Sequence, residues 1–381
     1  MISKVLRIAA IGDIHLGHPR TPTVHILKNL RKAFPDNEET GQLDIIFLEG
    51  DVFDRDIYLN DPNAFEIRAW INQFLRMCKR RDIMVRVLEG TPSHDWTQSR
   101  EFISENENAN IGCDLRYVKK LEIEYIERFG ATVLYVPDEW RPDTDDTWVE
   151  VQQLLKEHTL EKVDFAVMHG AFNYQLPSHV HVPVHIPERY LSIVRHFIFI
   201  GHIHKSSQFE RILAAGSFDR LSHNEEEPKG HMRVVVREGG NSEIVFVENK
   251  GAMLYKSINC TGIEIEKALQ KVAAALNPPL PAGSYVRIVA NKNDAIVADL
   301  DLLRKQYPDY TWQEKIAINM ASEEATLNVL RSRFVPVDIT PETIHQQVMD
   351  RLRSKVDRPQ LLERCNELLQ EVIQQHGKHS V

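Results

Sequence analysis

Five short segments of this sequence place aspartate and histidine where divalent cations could be held. They are Gly12-Asp13-Ile14-His15, Gly50-Asp51 with Asp54 three residues on, Gly90 followed by His94-Asp95, His169-Gly170, and Gly201-His202-Ile203-His204. A pair of ions ~3.5–4 Å apart needs several anionic or imidazole donors and one donor shared between them. Asp13 and His15, two residues apart on a turn, can aim at one ion. Asp51 has two oxygens and can bridge. Asp54 can orient a ligand from behind. His169, His202 and His204 add neutral imidazoles, and a mixed N/O set suits Mn, Fe or Zn better than Mg or Ca. Taken singly, Asp13 or Asp51 reads as well as a helix cap, and a lone histidine at a strand end is more often structural. Five such clusters together are hard to explain as capping.

The elements that must position them follow the same order. Val5–Ile11, Ile45–Leu48, Met84–Leu88, Phe165–Met168 and Phe197–Ile200 are short apolar runs, each ending abruptly in Gly, Asp, Glu or His. Runs of this kind are strands buried on both faces. Helical patterns lie between them at Val24–Phe34, Ala64–Arg80, Trp148–His158 and Pro187–Arg195. Alternation of strand and helix predicts an α/β fold of layered sheets flanked by helices. Open α/β sheets bind ligands beyond the carboxyl ends of their strands, where all five clusters sit, so one convergent site is expected.

Past Gly216 the texture changes. Met232–Val236 and Ile244–Val247 flank Gly239-Gly240-Asn241, a hairpin signal. Beyond residue 255 a smaller α+β unit is expected, with a helix over Ile263–Leu276, a break at Pro278-Pro279-Leu280-Pro281, a strand over Tyr285–Val289 and a helix over Asp299–Gln306. From Pro341 the chain reads as helical, with Leu361, Cys365, Leu368 and Val372 spaced as an apolar stripe. The domains expected are therefore 1–254, 255–340 and 341–381.

Composition narrows the class. The 381 residues exceed one small domain, and no apolar run is long enough for a membrane span. The segment Met1 to Arg7 lacks the features of a secretory signal, and Cys78, Cys113, Cys260 and Cys365 are scattered, as expected of reduced thiols in a cytoplasmic protein. A net charge of −9 gives no global attraction to nucleic acid, although a local groove with bound cations can reverse the potential. His179, His181 and His185 lie among Pro177, Pro183 and Pro187, which argues for an extended loop over the site rather than another metal position.

The five ordered motifs resemble those of calcineurin-like metallophosphoesterases over about residues 5–220. The resemblance implies the two-sheet metallophosphoesterase fold, with Asp13, His15, Asp51 and His204 holding one ion. Asp51, His169 and His202 would hold the other. It further implies that His94 acts on the scissile phosphate or protonates the leaving oxygen, with Asp95 orienting it. The third motif of that family is usually Gly-Asn-His-Asp/Glu, the Asn ligating the second ion. Here it is Gly90-Thr91-Pro92-Ser93-His94-Asp95, so Ser93 precedes His94 where Asn is expected. The second ion would then bind more weakly, take an extra water, or use Ser93 as a ligand.

Ala215-Gly216-Ser217-Phe218-Asp219-Arg220 and Glu225-Glu226-Glu227-Pro228-Lys229-Gly230 resemble a segment of the SbcD-type nuclease subunit, partner of an SMC-like ATPase in DNA repair. That likeness implies a Mn-dependent DNA exo- or endonuclease acting on single-stranded, hairpin or duplex ends. It further implies a DNA-facing cap at 255–340, ATPase binding through 341–381, and a homodimer. For the C-terminal helix, ordinary packing on the chain's own core is an equal expectation. The alternatives are a phosphomonoesterase or protein phosphatase with the same metals, and a non-catalytic scaffold of the same fold.

Overall fold

The computed structural model describes residues 5–317 apart from 59, 178, 181, 238, 240 and 241, and beyond 317 residues 345, 346, 348, 349, 352, 353 and 359–376. By chain contacts it divides into Met1–Ile316 and Ala317–Val381.

The first unit is a mixed α/β fold of two layered sheets flanked by helices. In one sheet β1 (Val5–Ile11), β2 (Ile45–Leu48), β3 (Met84–Leu88) and β4 (Leu115–Val118) lie parallel in that order. In the other, β5 (Glu122–Ile126) pairs antiparallel with β6 (Ala131–Val136). β6 is followed by parallel β7 (Val163–His169) and β8 (Val194–Gly201), with β9 (Ser207–Phe209) and β10 (Ile212–Ala214) at the far edge. The antiparallel β11 (Gly230–Arg237) and β12 (Glu243–Glu248) then return to the first sheet beside β1. Residues 240 and 241 of the expected hairpin turn lie outside the described residues.

The side-chain alternation of β1 shows why these runs are apolar throughout. Leu6, Ile8 and Ala10 enter the core between the sheets, where Phe47 of β2 meets Phe199 of β8 with ring centroids 5.8 Å apart. Ala9 and Ile11 face the opposite side, against the helices α1 (Thr23–Ala33) and α2 (Ala64–Arg81). The second sheet buries its outer face under α5 (Thr144–Glu157) and α6 (Pro187–Ile193). The inner strands therefore need two apolar faces, and this sandwich of the first unit is helix, sheet, sheet, helix in section. Several expected boundaries move, that of one helix for a clear reason. The helix read as Pro187–Arg195 ends at Ile193, because Val194 pairs with Val163 as the first residue of β8.

Residues from Tyr255 build a separate three-stranded parallel sheet, β13 (Tyr255–Asn259), β14 (Tyr285–Ala290) and β15 (Thr311–Ile316). Its core is formed with α7 (Ile265–Ala275), α8 (Ala295–Ala298) and α9 (Leu300–Gln306). Its other face carries Tyr255 and Tyr285, which touch the segment just after the first ligand motif. The Tyr255 hydroxyl is 2.8 Å from Thr21 Oγ1, and the Tyr285 hydroxyl donates to the Arg20 carbonyl at 2.5 Å. In the second unit α10 spans Pro359–His376, with Leu361 and Leu368 exposed. The side chain of Val372 lies outside the described residues. Among the described residues no helix is long and apolar enough to cross a membrane.

Candidate metal centre

The parallel strands of both sheets end on one edge of the sandwich, and their carboxyl ends deliver the ligand-type side chains to one place. Asp13 and His15 follow β1, Asp51 follows β2, and the short helix α3 (Pro92–Asp95) follows β3. His169 closes β7, while His202 and His204 follow β8. The backbone there is strained: Asp13, His15 and Asp51 have φ near +50° and His202 has φ +98°. Such conformations cost of order 1–3 kcal/mol each and persist only where the surroundings fix them. Here the two loops are laced together, Asp13 N donating to Gly50 O at 3.1 Å and His15 N to Asp51 O at 3.0 Å. Gly50, at φ +93°, admits the approach, because a Cβ there would lie 2.4 Å from His169 Nδ1.

Three groups of ligand-bearing side chains result: Asp13, His15 and His204; Asp51, His169 and His202; and His15, Asp54 and His94. The first two groups are candidate positions for two ions. Asp51 lies between them, with Oδ2 3.3 Å from His169 Nε2 and 3.8 Å from His15 Nε2.

Each of three imidazoles is anchored through the nitrogen that faces away from the centre. His15 Nδ1 is 3.0 Å from Asp54 Oδ1, His169 Nδ1 donates to Glu49 O at 2.5 Å, and His204 Nδ1 is 3.2 Å from Glu225 Oε1. Each Nε2 is thereby turned inward as a lone-pair donor, and His15 Nε2 and His204 Nε2 are 3.1 Å apart. Two imidazole nitrogens at that distance, beside buried carboxylates, are arranged as donors to a common cation, so the residues present fit a metal centre. Burial opposes ionisation of Asp51, but His169 and His15 outweigh it and hold its carboxyl below the usual range. Burial likewise opposes charge on His169, and the adjacent Asp51 raises its pKa well above the ordinary value.

Two residues expected in the site have other surroundings. Ser93 is exposed on α3. Thr91, directly after Gly90, is the residue turned inward. Its Oγ1 lies 3.2 Å from Asp51 Oδ2, 3.3 Å from His202 Nδ1 and 3.4 Å from His169 Nε2. Pro92 starts α3 immediately afterwards and lifts Ser93 out to solvent. Asp95, expected to orient His94, is fully buried and accepts from the N–H groups of Asp51, Phe53 and Gly90 at 3.1, 3.0 and 2.7 Å. Burial and then the Asp51 charge push its carboxyl up to about 8. It braces the loops after β2 and β3, while His94 is held by its own Nδ1–H donating to Asp54 O at 3.1 Å.

Three contributors escaped the sequence reading. Thr91 had its signal, the position after Gly90. Asp138 ends the apolar run of β6 just as Asp51 ends β2. Glu225 lay in a noted segment, yet its partner His204 is 21 residues away. The buried Lys229 ammonium holds Glu225 at 3.0 Å and the His204 carbonyl at 2.8 Å. Of the proline-loop histidines, 181 lies outside the described residues. His185 is buried, its Nδ1 3.1 Å from the Tyr190 hydroxyl, and neither it nor His179 joins a ligand group among the described residues.

Burial works against the Glu225 carboxylate, but the His204 hydrogen bond and the Lys229 charge hold its pKa down at about 2. A folded value below the unfolded one contributes stability that is fully present above the unfolded value near 4.5 and is lost as pH falls toward 2. The interval corresponds to on the order of 3 kcal/mol. In metal-free protein, urea unfolding at pH 5 and pH 3 is therefore expected to show a smaller acid-induced loss for E225Q than for the wild type. Equal losses would remove Glu225 from the account.

An open groove of about 370 Å³ exposes this centre, lined by His15, Asp51, Thr91, His94, His204 and Arg20 among others. A second cleft of about 530 Å³ meets it at His202 and runs past Asp138, Trp140 and His185.

No family model and no curated protein matches the chain. Among solved structures it is similar to TT1561 of Thermus thermophilus, at 13% identity and a TM-score of 0.37, over 64% of this chain and 99% of that one. A second structure matches at 12% identity and a TM-score of 0.38, over the same shares. Likeness at that level carries no argument about activity. The two-sheet sandwich and the paired ligand groups at its strand ends are features that the resemblance of the sequence motifs implies.

Proposed function

We propose that this chain is a dinuclear-metal phosphodiesterase that cleaves DNA, as the nuclease subunit of an SbcCD-like complex. The observation that carries the reading is the pair of ligand groups with Asp51 between them at the floor of an open groove, with His94 at its side. Two divalent ions, when bound there, supply charge neutralisation of phosphoryl oxygens and activation of a water. The remaining roles belong to the protein. Asp54 serves twice, its carboxylate fixing the His15 tautomer and its carbonyl taking the Nδ1–H of His94. With Nδ1–H engaged, the proton that His94 would deliver to a departing oxygen is the one that Nε2 carries in the imidazolium form.

The preference for a polyanion is supported by the groove wall. Arg20 lines it, and the neighbouring three-stranded sheet brings Arg287 toward the same side, its Nη2 bonded to Ser257 Oγ at 3.0 Å. Burial, followed by the Arg20 charge, lowers the Arg287 pKa. Cations kept within range of one another suit a phosphate backbone. The double variant R20A/R287A is expected to raise KM for a DNA oligonucleotide roughly tenfold at moderate salt. Its KM for a chromogenic small phosphodiester should stay unchanged. Equal effects on both substrates would place the arginines in folding rather than recognition.

The experiment that tests the function is a Mn-dependent panel of single-stranded, hairpin and duplex DNA, a small phosphodiester and a phosphomonoester. Cleavage confined to the monoester would replace this reading with a phosphatase. Binding of an SMC-like ATPase is assigned to the segment 341–381, and co-purification of the two with and without that segment tests it.

A further inference from the structure

The geometry points to Asp138, which borders the group formed by Asp51, His169 and His202 without belonging to it, as a further ligand of an ion held there, reached together with the Thr91 hydroxyl. Asp138 stands just after β6, and its Oδ2 is 3.1 Å from Thr91 Oγ1 and 3.4 Å from His202 Nδ1. Thr91 Oγ1 is also 3.2 Å from Asp51 Oδ2, 3.3 Å from His202 Nδ1 and 3.4 Å from His169 Nε2. A threonine hydroxyl carries one proton and can donate it to one partner. Two carboxylates are thus separated by a single hydroxyl, with two imidazole nitrogens beside them. The His169 Nδ1–H is already spent on Glu49 O. So many acceptors around one donor are costly in a buried place unless a proton or a metal cation sits among them.

An outer carboxylate that merely steers a histidine has a different geometry. Asp54 and Glu225 each touch Nδ1 of a histidine whose Nε2 points into the centre. Asp138 instead approaches His202 Nδ1, the nitrogen that faces the same Thr91 hydroxyl as His169 Nε2 and Asp51 Oδ2. It lies on the inner side of the imidazole. The side chain is 13% exposed, so it is packed against the centre and still reachable from the adjoining cleft. The second position then takes a second carboxylate where the resembling family offers a neutral amide, which compensates for a short hydroxyl with a full charge.

The inference rests on the two-ion reading of the site and is independent of the substrate. Its test is metal counting on the full chain, by elemental analysis after Mn loading and by calorimetric titration, for wild type, D138A, D138N and S93A. Wild type and S93A are expected to take two Mn per chain. D138A should keep one, with the second weakened at least about tenfold, since even outer ligands are typically worth 10–100-fold. D138N, which keeps the shape and one oxygen donor, should fall between them and guards against a folding defect in D138A. Two ions held by D138A and D138N at wild-type affinity would overturn the assignment alone. Loss of both ions from D138N would also overturn it, because the carboxylate would then be holding the whole centre. A wild type that takes up no Mn would overturn the two-ion reading and this inference with it.

Discussion

Asp51→Ala is expected to strip the protein of its metal pair and of phosphodiesterase activity together. Asp51 lies between the two ligand groups, with Oδ2 3.3 Å from His169 Nε2 and 3.8 Å from His15 Nε2. Its Oδ1 also accepts from Thr91 N at 2.6 Å, which ties the loop after β3 to the one after β2. Removing the carboxylate leaves four imidazoles and Asp13 without the anion between them. Loss of the Lewis-acid contribution of a metal, several kcal/mol, corresponds to roughly a thousandfold fall in rate or more. Elemental analysis after Mn loading should give less than one ion per chain, and hydrolysis of a small phosphodiester should drop to background. Retention of two ions, or of activity within tenfold, would remove Asp51 from its bridging place. D51N serves as the companion, since it preserves the hydrogen bonding and volume and removes the charge.

His94→Gln is expected to separate metal binding from chemistry. His94 belongs to neither group assigned an ion, and its Nδ1–H is committed to the Asp54 carbonyl. Metal content should therefore stay at the wild-type level. The rate on DNA should fall about 10²–10⁴-fold, the usual range for a positioned general acid. The fall should be much smaller for a nitrophenyl ester, whose leaving group departs as a stabilised anion and needs little help from a proton. That contrast between leaving groups is the decisive readout. Equal losses on both substrates would assign His94 to binding the phosphate, and metal loss would assign it to the third ligand group with His15 and Asp54.

The layered α/β fold and its chemical edge are legible in the sequence because the signal is local. An apolar run buried on both faces disfavours Asp and His, so such a residue at the close of the run marks the strand end, as at Asp13, Asp51, His169 and His202. The same logic applies to β6, where Ala131–Val136 ends in Pro137-Asp138. That run is readable in the same way, although neither glycine nor histidine stands beside Asp138 to single it out. Short edge strands such as β9 and β10, three residues each, have no period long enough to read.

The sequence by itself determined which chemistry is present: a set of carboxylates and imidazoles at the ends of parallel strands. Only the tertiary structure decided how that set is divided. Whether Thr91 or Ser93 faces the centre depends on the direction of the chain at Pro92, which neighbouring loops dictate. Whether Asp95 serves His94 or the backbone of Asp51, Phe53 and Gly90 depends on how closely β2 and β3 approach. His204 finds Glu225, and Thr91 finds Asp138, across 21 and 47 residues of chain. The physical reason is that strand-end composition follows from burial of each strand separately, whereas a ligand set is a property of several loops meeting at one point. The site that the motifs announced is thus shared through Asp51 and bordered by Asp138, a contributor that no motif contains.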